Sequence, residues 1–186
     1  MKENISNYRN LLTVFSILRK YGLIGNKEIT GWADAILASE SASDYAFIEI
    51  STTANTHELV KILEKHTSDE NPEIVFRAIL GIVYHLLTDQ LIAFKDSLRV
   101  TSEISYEEKL TEDEQFLLYG YSEFSSYELQ GVYKDFRLYR QNFIEFLSLY
   151  RNFTLMNHRE WKSIHATLLT ELSEKLKMAK GSYPIQ

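Results

Sequence analysis

The sequence predicts an all-α protein, a compact array of eight or nine helices, with stacked helix pairs as the alternative arrangement. Three observations carry that expectation. Only seven Gly and two Pro occur in 186 residues, too few punctuators for a turn-rich β fold. Apolar residues recur three and four apart through most of the chain. Cap residues stand where those periodic runs begin.

The first run spans about 7–21, where Tyr8, Leu11, Phe15 and Leu18 keep the helical period and Gly22 can end it in the left-handed conformation. After Gly25-Asn26, the residues Ile29, Trp32, Ala33, Ile36 and Leu37 fall on one face of a second helix. Residues 44–50 carry β-formers, but an isolated strand would have no partner, so a short helix is expected. Asn55 with Glu58 forms a capping box for a helix to about His66.

Asn71-Pro72, a cap followed by proline at the first helical position, opens a helix that is apolar nearly all round, from Ile74 to Leu87. Thr88-Asp89 should break it, with a further helix from about Gln90 to Glu103. Thr111 with Glu114 is a second capping box, opening a helix to about Leu129. Gly131 separates that helix from one of about 133–151. Asn157 with Glu160 reads as a third capping box, before a helix held by Trp161, Ile164, Leu168, Leu172 and Leu176, with fraying expected from Gly181. No linker is long or polar enough to divide the chain, so residues 1–186 are taken as one domain.

Composition narrows the function classes. Without cysteine there is no disulfide framework, zinc-thiolate site, iron–sulfur cluster or thiol nucleophile. The first seven residues have no apolar core of a secretory signal, and the nearly apolar stretch 78–87 is too short to span a bilayer, so a cytoplasmic protein with no membrane role is expected. The net charge is −6, and it is concentrated: eight acidic residues stand against Lys109 between Glu103 and Glu128, leaving the rest of the chain at +1. Duplex binding needs a basic patch instead, so nucleic acid is not the expected partner.

Catalytic and metal motifs are missing. None of His57, His66, His85, His158 and His165 follows an acidic residue by three positions, so the Glu-x-x-His pair of a di-metal bundle does not occur. His85 and Asp89 are four apart, but the break expected near Thr88 separates them, and a satisfied near-core histidine is the plainer account. Gly120-Tyr121-Ser122-Glu123-Phe124 lacks the second glycine of a nucleophile elbow, and no phosphate-cradling glycine spacing appears. No catalytic residue, cofactor site or metal site is assigned, and a non-enzyme is expected.

Half of the 24 aromatic residues lie between Phe116 and Phe153. Phe136, Phe143, Leu147 and Tyr150 share a face and should be core, whereas Tyr119 and Tyr121 diverge by about 200° around a helix. At least one tyrosine should therefore reach the surface beside the acidic run. Exposed tyrosine gives rigid contact area and carboxylates steer a basic partner. The expected partner-binding set is Glu107, Glu108, Glu112, Asp113, Glu114, Tyr119, Tyr121 and Tyr127.

Gly31-Trp32-Ala33-Asp34-Ala35-Ile36-Leu37, followed by Tyr45-Ala46-Phe47-Ile48-Glu49-Ile50-Ser51, resembles a group of small, largely uncharacterised bacterial all-helical proteins, some of immunity-protein type. In that group a Trp-Ala-Asp helix precedes a short hydrophobic-Ile-Glu-Leu-Ser segment and a capped helix pair. The likeness covers residues 26–66 and, in helix order alone, extends to about residue 105; the tyrosine-rich half has no counterpart. It carries over no functional residue: Trp32 and Ile36 read as packing, Ser51 as a turn or cap. The resemblance implies a protein that binds and silences a toxin domain. The chain is thus expected to be a non-catalytic protein-binding module with a basic-surfaced partner. The alternatives are a regulatory or scaffold module, or a small-ligand sensor or enzyme with a pocket near Tyr84 and His85.

Overall fold

The computed structural model describes residues 3–39, 44–67, 71–106, 108–128 and 136–181. These contain nine α-helices and two short 3-10 turns, and no strand. They gather into two compact units, Met1–Val75 and Phe76–Gln186, and the division falls inside a helix rather than at a linker.

The first unit begins with the 3-10 turn Ile5–Tyr8 and α1 (Arg9–Lys20), whose buried residues Leu11, Leu12, Val14, Phe15 and Leu18 form one stripe. Gly22 ends α1 at φ 72°, with Leu23 N–H donating to the Leu18 carbonyl at 2.9 Å and Gly22 N–H to that of Arg19 at 3.1 Å. Only a residue without Cβ takes that conformation at no steric cost. Then come α2 (Asn26–Ala38), α3 (Ala46–Thr52) and α4 (Thr56–Glu64). Trp32 of α2 sits edge-on to Tyr8 and Phe15, at ring separations of 5.1 and 5.5 Å, and tilted against Phe47 of α3 at 5.8 Å.

One polar clamp ties three helix ends in this unit. Arg19 donates to Asn26 Oδ1 at 2.7 Å and to Thr56 Oγ1 at 2.6 Å, while the Asn26 amide donates to the Ala54 carbonyl at 2.7 Å. Asn55 caps α4 as expected, accepting from Glu58 N–H at 3.1 Å. Ser51, expected in a turn or cap, instead donates to Asp34 and joins α3 to α2.

The second unit holds most of α5 (Pro72–Thr88), followed by α6 (Phe94–Ile104), α7 (Glu112–Glu128), α8 (Phe136–Ser148) and α9 (Trp161–Gly181). The break after Thr88 is sharper than expected: Gln90 takes φ 59° and α6 starts only at Phe94. The Asn157 capping box does not form. Asn157 instead exchanges bonds with Thr154, accepting from its N–H at 3.0 Å, and a 3-10 turn over His158–Glu160 leads into α9. Gly81 explains how the turn after α8 lies against α5. A Cβ there would meet the Tyr150 carbonyl oxygen and stand 2.8 Å from Phe153 Cβ, so only glycine permits the approach.

Candidate functional site

Helix α7 carries two opposed faces, and the acidic segment is divided between them. Glu114, Leu117, Leu118 and Tyr121 are buried, and their positions fall within about 100° of arc. Glu112, Phe116, Tyr119 and Glu123 are exposed and fall within about 60° on the other side. Glu114 and Tyr121, expected on the partner-binding surface, therefore leave it.

The Glu114 carboxylate is 0% exposed and fully occupied. Oε1 accepts from Arg77 Nε at 2.9 Å and from the Tyr150 hydroxyl at 2.9 Å. Oε2 accepts from Arg77 Nη2 at 2.8 Å and from the N–H and hydroxyl of Thr111 at 2.8 and 2.9 Å. Glu114 N–H returns a bond to Thr111 Oγ1, completing the capping box read from the sequence. Arg77 also donates to His165 Nδ1 at 3.3 Å, so that ring nitrogen is the acceptor.

Burial pushes the Glu114 carboxyl up, but the Arg77 bonds and charge, with Thr111 and Tyr150, outweigh it and hold the group below its ordinary value. Tyr150 is driven well above its ordinary value by burial, then by the Glu114 charge and their bond. The phenol therefore stays a donor. With every lone-pair direction of Glu114 taken, this network braces α5, α7, α9 and the turn after α8. Its carboxylate is ionised and has no free position for general-base work.

Two signals in the sequence point to this network. Glu114 is in phase with Leu117, Leu118 and Tyr121, and Arg77 is a lone charge inside the otherwise apolar run of α5. Tyr121 is buried to 1% and meets Phe143 at 5.2 Å and Tyr139 at 5.7 Å; burial, then the charge of Glu145, raises its hydroxyl. Phe143, Leu147 and Tyr150 are core as expected, whereas Phe136 is 39% exposed.

The remaining expected residues divide as follows. Glu108, Glu112 and Tyr119 are exposed. Asp113 is half-buried and pairs with Lys180 of α9. Glu107 and the side chain of Tyr127 lie outside the described residues. Three residues that the sequence reading passed over join the exposed face. Tyr106 is 71% exposed and edge-on to Tyr119 at 6.5 Å, Phe116 is 49% exposed, and the Tyr119 hydroxyl donates to Glu123 at 2.5 Å. The spacing of Glu112, Phe116, Tyr119 and Glu123 was itself a legible signal.

The Lys180 ammonium illustrates what this surface attracts. It lies 4.9 Å from the Phe116 ring centre while paired with Asp113, so one cation is held by an aromatic face and a carboxylate together. Open grooves occur elsewhere in the same unit. One of about 520 Å³ is lined in part by Asn142, Glu145, Lys175 and Met178, and one of about 480 Å³ by Tyr84 and three arginines. The His85 Nε2–H donates to the Arg151 carbonyl at 2.7 Å. Among the described residues no group of three His, Asp or Glu side chains could hold a metal ion, and no helix is long and apolar enough to cross a membrane.

Comparison of the chain with protein-family models, with curated proteins and with solved structures yields no match.

Proposed function

We propose that the chain is a non-catalytic binding protein whose exposed α7 face, together with Tyr106, receives a basic surface of another protein. The observation that carries this reading is the stripe Glu112, Phe116, Tyr119 and Glu123, in which aromatic contact area is bracketed by carboxylates. Rings supply rigid apolar area, and the flanking charges raise the encounter rate with a cationic partner. The seating of Lys180 on Phe116 and Asp113 supports the same chemistry in miniature.

Within that reading, the resemblance of residues 26–66 to immunity-type proteins favours a toxin domain as the partner. The acidic balance suits a basic toxin, such as one that acts on nucleic acid.

Co-expression with the product of the adjacent gene provides the test, scored by survival of the host and by co-purification. Glu112→Lys with Glu123→Lys should lower the association rate by about tenfold or more at low salt, with the effect shrinking as salt rises. Phe116→Ala with Tyr119→Ala should instead speed dissociation. A complex indifferent to all four substitutions would refute the α7 interface. A partner that is not a toxin would refute only the immunity assignment.

A further inference from the structure

We propose that the groove lined by Arg137, Arg140 and Arg151 is a binding site for a small polyanion carrying two or more phosphate or carboxylate groups. It lies on α8 and the turn that follows, carries the opposite charge from the α7 stripe, and does not depend on the function proposed for that stripe.

The sequence places these groups together. On α8, Arg137, Arg140, Gln141, Ile144 and Ser148 fall within about 100° of arc, so one face carries two guanidinium groups, an amide and a hydroxyl. Arg137 and Arg140 are one turn apart, close enough to converge on a single anionic group. Arg151 follows the helix end and lines the same groove. From Arg137 to Ser148 the helix rises about 16 Å, so a ligand engaging both ends needs more than one anionic centre.

The groove is a built one. The Arg140 guanidinium lies over the Phe94 ring, 5.8 Å from its centre, a cation–π contact that orients the head group at the groove. The backbone of Arg151 is pinned by the bond from His85, whose ring stands edge-on to Tyr84 at 5.2 Å. Ile144 and Tyr84 add apolar wall. Among the described residues none of the three guanidinium groups has an ion-pair partner, and Glu145 is the one carboxylate in the lining. In a chain of net charge −6, three unpaired arginines on one groove raise the local potential against the overall field.

Planar guanidinium forks match the paired oxygens of phosphate and carboxylate. A volume of about 480 Å³ falls within the range of small-ligand clefts and favours a small molecule over a macromolecular strand.

Isothermal titration of the full chain with tripolyphosphate, and separately with citrate, tests the site. Saturable one-to-one binding of at least one anion is expected. Arg137→Gln and Arg151→Gln should each weaken it by about ten- to a hundredfold, because each removes a charge-assisted contact. Arg137→Lys should recover little of that loss, since the fork is gone. Glu145→Gln should tighten binding. All three positions are exposed, and unchanged thermal unfolding would show that each variant folds.

Binding of tripolyphosphate alone would assign the site to phosphate, and of citrate alone to carboxylate. Absence of saturable binding by either anion, or affinity indifferent to the arginine substitutions, would overturn the proposal. Tighter, arginine-dependent binding of an oligoglutamate peptide would also overturn it, by giving the groove to a protein partner.

Discussion

Arg77 on α5 and Glu114 on α7 form a two-bonded pair at 2.9 and 2.8 Å, with 3% and 0% of their side chains exposed. Both charges have left water, and each carboxylate oxygen has at least two donors. Such a pair is weak as a net source of stability but costly to break, because removing one member strands the other.

Glu114→Leu should therefore destabilise the protein by about 3–5 kcal/mol, measured by denaturant unfolding. Adding Arg77→Met and Tyr150→Phe removes the stranded guanidinium and hydroxyl and should restore most of that loss. If the triple variant were as unstable as the single one, the cost would lie in packing rather than in an uncompensated charge.

The same pair makes stability depend on acid. The folded-state carboxyl of Glu114 titrates below the ordinary 4.5, so its contribution is fully present above that value. It is lost as the pH falls through the lowered folded value, where the folded protein must take up a proton that the unfolded chain already holds. The triple variant lacks this group and should show a shallower loss of stability over that acid range. Denaturation midpoints recorded from neutral to acid pH compare the two slopes, and identical slopes would place the acid sensitivity elsewhere.

Gly81→Ala should cost about 1–3 kcal/mol or more, since the added methyl meets backbone that cannot swing away. The turn bearing Tyr150 and Phe153 would have to move off α5, taking the Tyr150 hydroxyl from Glu114. Thermal unfolding and the near-ultraviolet dichroism of the buried tyrosines would both report it. Gly31→Ala, where nothing lies within 4 Å, is the matched control and should be neutral or slightly stabilising.

Helix order was largely legible because it rests on local chemistry. Asn55 and Thr111 bond their own helix starts, and Gly22 ends α1 through its own backbone. Asn157 shows the limit: a capping-box spacing was present, yet Thr154 competed for the same side chain and prevailed. Of the candidate interface, Tyr119 and Glu112 were read correctly as exposed. Glu114 was not: its helical phase with Leu117 and Tyr121 turns it inward, but only Arg77, 37 residues away, compensates the burial of its charge.

The amino-acid sequence by itself determined the helical class, most helix starts and the divergence of Tyr119 from Tyr121, since period and caps act within a few residues. Only the tertiary structure decided which carboxylate is drawn inside and which face of α7 remains outside. It also decided that Arg151 joins Arg137 and Arg140 on one groove. Those outcomes depend on what lies across from each helix, and a residue's phase or a lone charge in an apolar run does not name the distant group it meets.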